Sequence, residues 1–304
     1  MRKKLCEISN PKQWKTISSD KLTKDGYPVY GANGIIGYYT EYNHKNETLL
    51  ITCRGATCGT LNISQPFSYI NGNAMALDDL SKDVDIKYLY YYLTNRGLND
   101  VITGSAQPQI VRQSLEKVFV EYPELVTQKE IVDEFNHIEK IIFHRTQQIS
   151  KLDELVKARF IEMFGDPVNN PMEWSTKQLQ ELVTDDCTIS YGIVQTGDDQ
   201  EDGVPVFRPV DIVNHIPLRS ELKKTTEEIS NKYKRTILKG REMLITVRAN
   251  IADTYIVGAE FSGCNVGRGI VPIRTKEDEM VLEFLKYQID SKHLNDSIKA
   301  LAKG

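Results

Sequence analysis

The chain has 304 residues, enough for two domains of ordinary size, and 40% of them are hydrophobic, enough to give each a buried core. The net charge is −4, so no global positive field announces nucleic acid, and any DNA-binding surface must be a local patch. Neither flank is strongly basic: residues 1–122 carry 14 basic and 12 acidic side chains, and residues 166–304 carry 18 and 22.

The five cysteines, Cys6, Cys53, Cys58, Cys187 and Cys264, form no C-x-x-C pair, and the five histidines give no ligand pair at helical spacing. That argues against a structural zinc and suits free thiols in a reduced cytoplasm. The opening MRKKLCEISNPKQW lacks the apolar stretch of a secretory leader, and no apolar run is long enough to cross a membrane. No cofactor and no metal is expected.

In chain order, the glycine-rich stretch Gly26–Gly37 (GYPVYGANGIIG) fits no dinucleotide fingerprint and reads as a turn-rich loop around Asn33-Gly34. Strands are expected at Thr48–Thr52 and Phe67–Ile70, a turn at Asn71-Gly72, and a helix at Ile86–Thr94. From Thr127 to Phe164 there is no glycine or proline; Pro123 stands before the stretch and Gly165-Asp166-Pro167 ends it. Phe135, Ile142, Ile149, Val156 and Met163 recur seven apart, and Ile131, Ile138, Arg145, Leu152 and Arg159 fill the 3/4 positions between them. This is a coiled-coil seam on a helix roughly 55 Å long. Beyond it come the turn at Asp202-Gly203, strands at Met243–Val247, Thr254–Val257 and Gly269–Ile273, and a helix at Met280–Ile289.

The flanks resemble each other. Trp14-Lys15-Thr16 has a counterpart in Trp174-Ser175-Thr176, and Asp25–Tyr30 in Asp202–Phe207. Leu50–Arg54 (LITCR) matches Leu244–Arg248 (LITVR), and Leu98-Asn99-Asp100 recurs at Leu294-Asn295-Asp296. The fold expected is α+β: two copies of one mixed domain, residues 1–122 and 166–304, separated by the long helix at 123–165.

A search for chemistry finds no P-loop and no nucleophile elbow. Asn169-Asn170-Pro171-Met172 lacks the second proline and the aromatic residue of an amino-methyltransferase motif. Asp83-x-Asp85-x-Lys87 reads as a charged turn before a helix rather than a nuclease carboxylate pattern, and Cys53 and Cys58 read as buried or incidental thiols. What remains is architecture. Two related domains held apart by a stiff helix suit the reading of two short sequences at a set separation on DNA.

The run Arg159-Phe160-Ile161-Glu162-Met163-Phe164-Gly165-Asp166-Pro167, followed by Asn170-Pro171 and Trp174, resembles the junction that opens a target-recognition domain in specificity subunits of type I restriction-modification systems. Gly104–Ile110 (GSAQPQI), then Leu115, Pro123, Leu125 and Gln128–Val132 (QKEIV), is similar to the segment leading into that family's conserved helix. The resemblance implies a subunit without a catalytic site that directs adenine methylation and restriction to a bipartite site. Its implied partners are double-stranded DNA, methyltransferase (modification) subunits and, through them, a restriction subunit, with no membrane. Members usually carry a second conserved helix, and here the chain is expected to stop before it, at Lys303-Gly304. The seam of Ile131, Phe135, Ile138, Ile142, Ile149, Leu152, Val156 and Met163 would then pair with a second copy, as a homodimer. The alternatives are a stand-alone DNA-binding or anti-restriction module, and a coiled-coil scaffold that does not touch DNA.

Base reading needs exposed Arg, Asn or Gln, and phosphate contacts need Lys, Arg, Ser, Thr or backbone N–H. The candidates are Arg54, Thr57, Asn71 and Asn73 in the first copy, and Arg208, Arg248, Asn250, Asn265 and Arg268 in the second. Arg54 and Arg248 occupy equivalent places after a strand, and Asn73 and Arg268 lie in equivalent glycine-containing stretches. The alternative for the arginines is a surface ion pair, and for Asn71, Asn73 and Asn265 it is turn stabilisation. Gln107 and Gln109 are expected to fix the loop that leads into the helix, and Tyr30 and Phe207 to lie in the core.

Overall fold

Runs of apolar and β-branched residues without alternation suit strands covered on both faces. LLIT at Leu49–Thr52 and MLIT at Met243–Thr246 are two such runs, and each is flanked by a strand on either side. The computed structural model describes residues 1–104, 107–212 and 217–302, so Ser105, Ala106, Lys303 and Gly304 of the segments named above lie outside the described residues. The chain forms two compact units, Met1–Arg145 and Thr146–Gly304, each mixed α and β.

The first unit runs β1 (Arg2–Lys4), α1 (Leu5–Ile8), β2 (Asn10–Gln13), β3 (Tyr27–Gly31), β4 (Gly34–Tyr39), β5 (Leu49–Thr52), β6 (Leu61–Ile63), β7 (Tyr69–Ile70), β8 (Ala74–Asp78), α2 (Ile86–Arg96), α3 (Arg112–Leu115) and β9 (Phe119–Glu121). Helix α4 (Leu125–Phe164) follows, and the division between units falls inside it. The second unit continues with α5 (Leu179–Leu182), β10 (Val204–Phe207), α6 (Pro209–Ile212), β11 (Lys224–Thr225), α7 (Glu227–Asn231), β12 (Met243–Thr246), β13 (Thr254–Ile256), β14 (Asn265–Val266), β15 (Ile270–Ile273), α8 (Leu282–Asp290) and α9 (Lys292–Leu301).

In the first unit a four-stranded sheet has the order β2-β8-β5-β6 and a three-stranded sheet the order β4-β3-β7. In the second unit the corresponding orders are β13-β12-β15 and β11-β10-β14. The ladders make the duplication a structural fact. Thr52 pairs with Ala74 as Thr246 pairs with Ile270, and Tyr30 lies parallel to Ile70 as Phe207 does to Val266. Tyr30 and Phe207 are both core residues. α1 and α5 match as well: Glu7 and Glu181, each at the third helical position, accept from the N-cap backbone N–H of Lys4 and Gln178 at 2.9 and 2.8 Å.

The ladders also correct the sequence alignment in two places. With α1 and α5 equivalent, Trp174 precedes the repeated unit whereas Trp14 follows β2, so their resemblance is coincidental. Trp174 instead donates its indole N–H to Phe164 O at 3.0 Å, covering the end of α4. In the stretch before β8 and β15 the register makes Asn73 equivalent to Gly269, and Arg268 to Gly72. The Gly26–Gly37 stretch is the β3–β4 hairpin rather than a loop. Its glycines dilute the strand signal because the fold excludes side chains there: a Cβ on Gly26 would lie 2.5 Å from Tyr39 O, and one on Gly31 2.8 Å from Ile36.

Leu49, Ile51, Met75, Leu89 and Leu93 centre the core between the four-stranded sheet and α2. Each such side chain contributes about 1.5–3 kcal/mol on burial. α4 is anchored on this unit by Gln128, which is fully buried. Its amide accepts from Asp85 N at 2.8 Å and donates to Asp83 O at 2.8 Å and Pro123 O at 2.9 Å. Tyr91 of α2 stacks on Phe135 of α4 at 4.6 Å. In the second unit Tyr287, at the equivalent position of α8, meets Phe160 at 5.7 Å.

The loops that leave β5 and β12 open and close alike, although the second is one residue shorter. Gly59 N and Ala252 N both donate to the last strand residue, Thr52 O and Thr246 O, at 2.8 Å. Each arginine is followed by a left-handed residue, Gly55 at φ 92° and Ala249 at φ 62°; Gly59 at φ 93° and Ala252 at φ 66° are left-handed too. An L-residue held there costs roughly 1–2 kcal/mol. Ala249→Gly and Ala252→Gly are therefore expected to stabilise the second unit by about 1 kcal/mol each, while Gly55→Ala destabilises the first. Urea unfolding monitored by circular dichroism checks the signs.

Candidate nucleic-acid interface

Polar side chains in the four loops at one end of the first unit have two destinations. Arg54, two residues past the end of β5, is exposed, and no carboxylate pairs with it among the described residues. Its backbone lies between two other loops. Cys53 N donates to Asn73 O at 3.1 Å, Ile110 N to Cys53 O at 3.0 Å, and Arg54 forms an isolated bridge with Gln109. Asn73 and Gln109 are exposed beside it. The Gln109 backbone also pairs with that of Thr103, which braces the loop leading toward α4 and supports the arginine loop too.

Thr57 and the hairpin tip complete the cluster. The Thr57 hydroxyl donates to Asn33 Oδ1 at 2.6 Å, and the Thr52 hydroxyl donates to Ala32 O. Sequence reasoning passed over Asn33 except as a turn residue; an Asn-Gly tip between two glycine-rich strands was the available signal. Cys53 is buried and Cys58 half-buried, and burial pushes both thiols up, so they pack rather than react.

Asn71 is committed to the interior. Its Oδ1 accepts from Ile17 N at 3.1 Å and Gly72 N at 2.8 Å, and its Nδ2 donates to Ile17 O at 3.2 Å. Asn265 is fully buried; its Oδ1 accepts from the Thr236 hydroxyl at 2.6 Å and from Val266 N at 2.8 Å. Its Nδ2 donates to the Ser230 hydroxyl at 2.9 Å. For these two the turn-stabilising alternative is the one their hydrogen bonds support.

In the second unit Arg248, Asn250 and Arg268 are exposed, and neither arginine has an acidic partner among the described residues. Val247 N donates to Gly269 O at 2.8 Å, the same bond that Cys53 N makes to Asn73 O. The Arg248 loop is thus held against the Arg268 loop as the Arg54 loop is against Asn73. Asn250 accepts the Thr246 hydroxyl through its carbonyl, which leaves its side chain outward. Arg208 differs. Its Nε and Nη2 donate to Asp211 at 3.0 and 2.8 Å, and that pairing raises its guanidinium above the ordinary value. Asp85, one of the suspected nuclease carboxylates, is the N-cap of α2, accepting from Lys87 N and Tyr88 N. Among the described residues no group of three or more His, Cys, Asp or Glu could hold a metal, and no helix is long and apolar enough to cross a membrane.

Most of the α4 seam is exposed, although Phe135 also stacks on Tyr91. Phe135, Ile138, Ile142, Ile149, Leu152, Val156 and Met163 are between 42% and 62% exposed, and Ile131 is half-buried. The helix instead buries Gln128 and Val132 in the first unit and Phe160 in the second.

The family model for the type I restriction modification DNA specificity domain matches residues 2–154. The type I restriction enzyme EcoBI specificity subunit of Escherichia coli is 22% identical over 280 residues, covering 88% of this chain and 58% of that protein. The EcoprrI specificity subunit, also from Escherichia coli, is 29% identical over 143 residues, 44% of this chain and 35% of that protein. The chain thus spans little over half the length of the first and about a third of the second. The crystal structure of a type I restriction-modification system S subunit from M. genitalium has the same fold, with a TM-score of 0.51 at 13% identity, covering 99% of this chain and 79% of that one.

Asn71→Ala strands two backbone N–H groups and a carbonyl and should cost about 2–3 kcal/mol, with a similar loss for Asn265→Ala. Asn73→Ala, at the surface, should stay within about 0.5 kcal/mol. Chemical denaturation of the three variants separates the inward amides from the outward one.

Proposed function

Because the chain belongs to the type I restriction modification DNA specificity domain family, we propose that it is the sequence-reading component of a restriction-modification complex and performs no chemistry itself. The observation that carries this reading is the pair Arg54 and Arg248. They sit two residues past equivalent strands, each followed by a left-handed residue, both exposed and both without an acidic partner among the described residues. A solvated guanidinium held on a braced loop suits bidentate recognition of guanine in the major groove. Repetition in two non-identical units suits two different half-sites, and the long helix suits a spacer between them. Residues 1–122, 123–165 and 166–304 are the first recognition domain, the spacer and the second recognition domain in this reading. Arg268, Asn73 and Asn250 flank the two arginines as further contacts.

The partners follow from the same reading: double-stranded DNA, methyltransferase subunits of the same complex in the cytoplasm, and a restriction subunit held through them. The largely exposed seam of α4 supports helix pairing, since an apolar stripe of that length is usually an interface. A second copy fits it antiparallel, with Ile142 opposite Leu152, Val156 opposite Ile138, and Met163 opposite Ile131. Arg145 and Arg159 then lie opposite Ile149 and Phe135, where their stems pack and their charged ends reach water.

Arg54→Ala and Arg248→Ala should each cost about 1–3 kcal/mol of DNA affinity and relax specificity in one half-site only, measured by competition among duplex variants. An equal loss on every sequence would make the residue a phosphate contact. Incubation of the pure chain with S-adenosylmethionine and duplex DNA should transfer no methyl groups; turnover would overturn the non-catalytic reading. Light scattering at micromolar concentration should show a dimer that an Ile142→Glu, Ile149→Glu double variant dissociates. A wild-type monomer would end the pairing proposal.

A further inference from the structure

The hairpin tip beside the Arg54 loop carries an exposed amide tied to that loop by a hydrogen bond. Asn33 is exposed at the β3–β4 turn, where Gly31 pairs with Gly34 and Gly34 takes φ 93°. A free surface asparagine turns its amide at little cost, so its oxygen and nitrogen exchange places. Here the Thr57 hydroxyl donates to Asn33 Oδ1 at 2.6 Å, which ties the amide to the loop that carries Arg54. The bond occupies one of the two lone pairs of Oδ1. The Asn33 amide nitrogen has no partner among the described residues. What remains is one acceptor site and two N–H donors, one of them on the side of the oxygen. Adenine offers the complement in the major groove, an N7 acceptor and an N6 amino donor.

The support of this amide is shared with Arg54. The Thr52 hydroxyl donates to Ala32 O, so the hairpin tip is tied to the last residue of β5, from which the arginine loop departs. Thr57 itself belongs to that loop. Among the described residues the second unit shows no bond like that between Thr57 and Asn33; there Thr246 turns its hydroxyl to Asn250 O within its own loop. Arg208, the first residue past β10, is spent on Asp211.

We propose that Asn33, tied to the Thr57 hydroxyl and carried next to Arg54, reads an adenine in the half-site of the first unit, with Thr57 acting as a positioning residue rather than a DNA contact. This rests on the reading of the first unit as a DNA-recognition domain.

The test is selection by the full chain from a pool of duplexes with a randomised central region, followed by sequencing. The wild type should enrich a two-part motif. Arg54→Ala should relax one base pair of one part. Asn33→Ala should relax a different base pair, an A·T, in that same part, with a loss of about fivefold to a hundredfold in preference there and none in the other part. Thr57→Val should weaken the same A·T preference, and Thr57→Ser, which keeps the hydroxyl, should restore it. Asn33→Asp, which loses the donor, should behave as Asn33→Ala. Unfolding midpoints should be unchanged, which separates positioning from folding. A two-part motif that Asn33→Ala leaves intact, or weakens evenly on all sequences, overturns this assignment alone. A motif unmoved by Thr57→Val removes Thr57 from it. Enrichment of no motif by the wild type overturns the proposed function and this inference with it.

Discussion

The central strands β5 and β12 are hydrogen-bonded on both sides and buried along nearly their whole length, and the rest of each unit is arranged around that fact. A strand so enclosed delivers the chain to the sheet end with its next residues still close to two neighbours. Cys53 in the first unit and Thr246 in the second are the last buried residues, and Arg54 and Arg248 are outside. The neighbouring ladder, from β8 or β15, supplies the backbone that catches the residue before each arginine. The arginine therefore leaves from a fixed point and not from a mobile loop. A rigid origin reduces the ordering cost of binding, which matters for a long side chain with much rotamer freedom to lose.

Strain marks the same place. The second unit holds two alanines in left-handed geometry where the first has glycines. The left-handed alanines are held by the strand-closing bonds from Ala252 N to Thr246 O and from Thr246 N to Asp253 O. Strain of this kind persists where the surroundings fix the geometry, and it clusters at working sites.

Net charge hides this surface. At −4 the chain looks indifferent to DNA, yet the relevant quantity is which cations lack a carboxylate. Arg208, Arg274 and Arg96 are paired, to Asp211, to Glu242 and Asp186, and to Asp100. Arg54, Arg248 and Arg268 meet no acid among the described residues. Screening confines exposed charges to about 8–10 Å in ordinary salt, so distant acids do little to cancel a local patch. The same division of labour runs along α4, where Gln128 and Phe160 face inward and hold the helix while most of the heptad seam is exposed.

Sequence alone determined the two-copy organisation, the long helix and its heptads, the central strands and the helices α2 and α8, because periodicity and glycine or proline punctuation are local signals. It also placed Arg54 and Arg248 in register, since LITCR and LITVR keep the strand that carries them. The β3–β4 hairpin was not legible, because its glycines answer to close approach across the sheet, a demand the neighbouring residues do not record. Trp14 and Trp174 looked alike without being equivalent, since identity over three residues carries no ladder. Asn33, Asn71 and Asn265 are the same residue type beside turn or loop signals, yet one faces out and two are spent inside. Only the tertiary structure decided which amides and which guanidinium groups remain free, because that depends on partners distant in sequence: Ile17 for Asn71, Ser230 and Thr236 for Asn265, and Thr57 for Asn33.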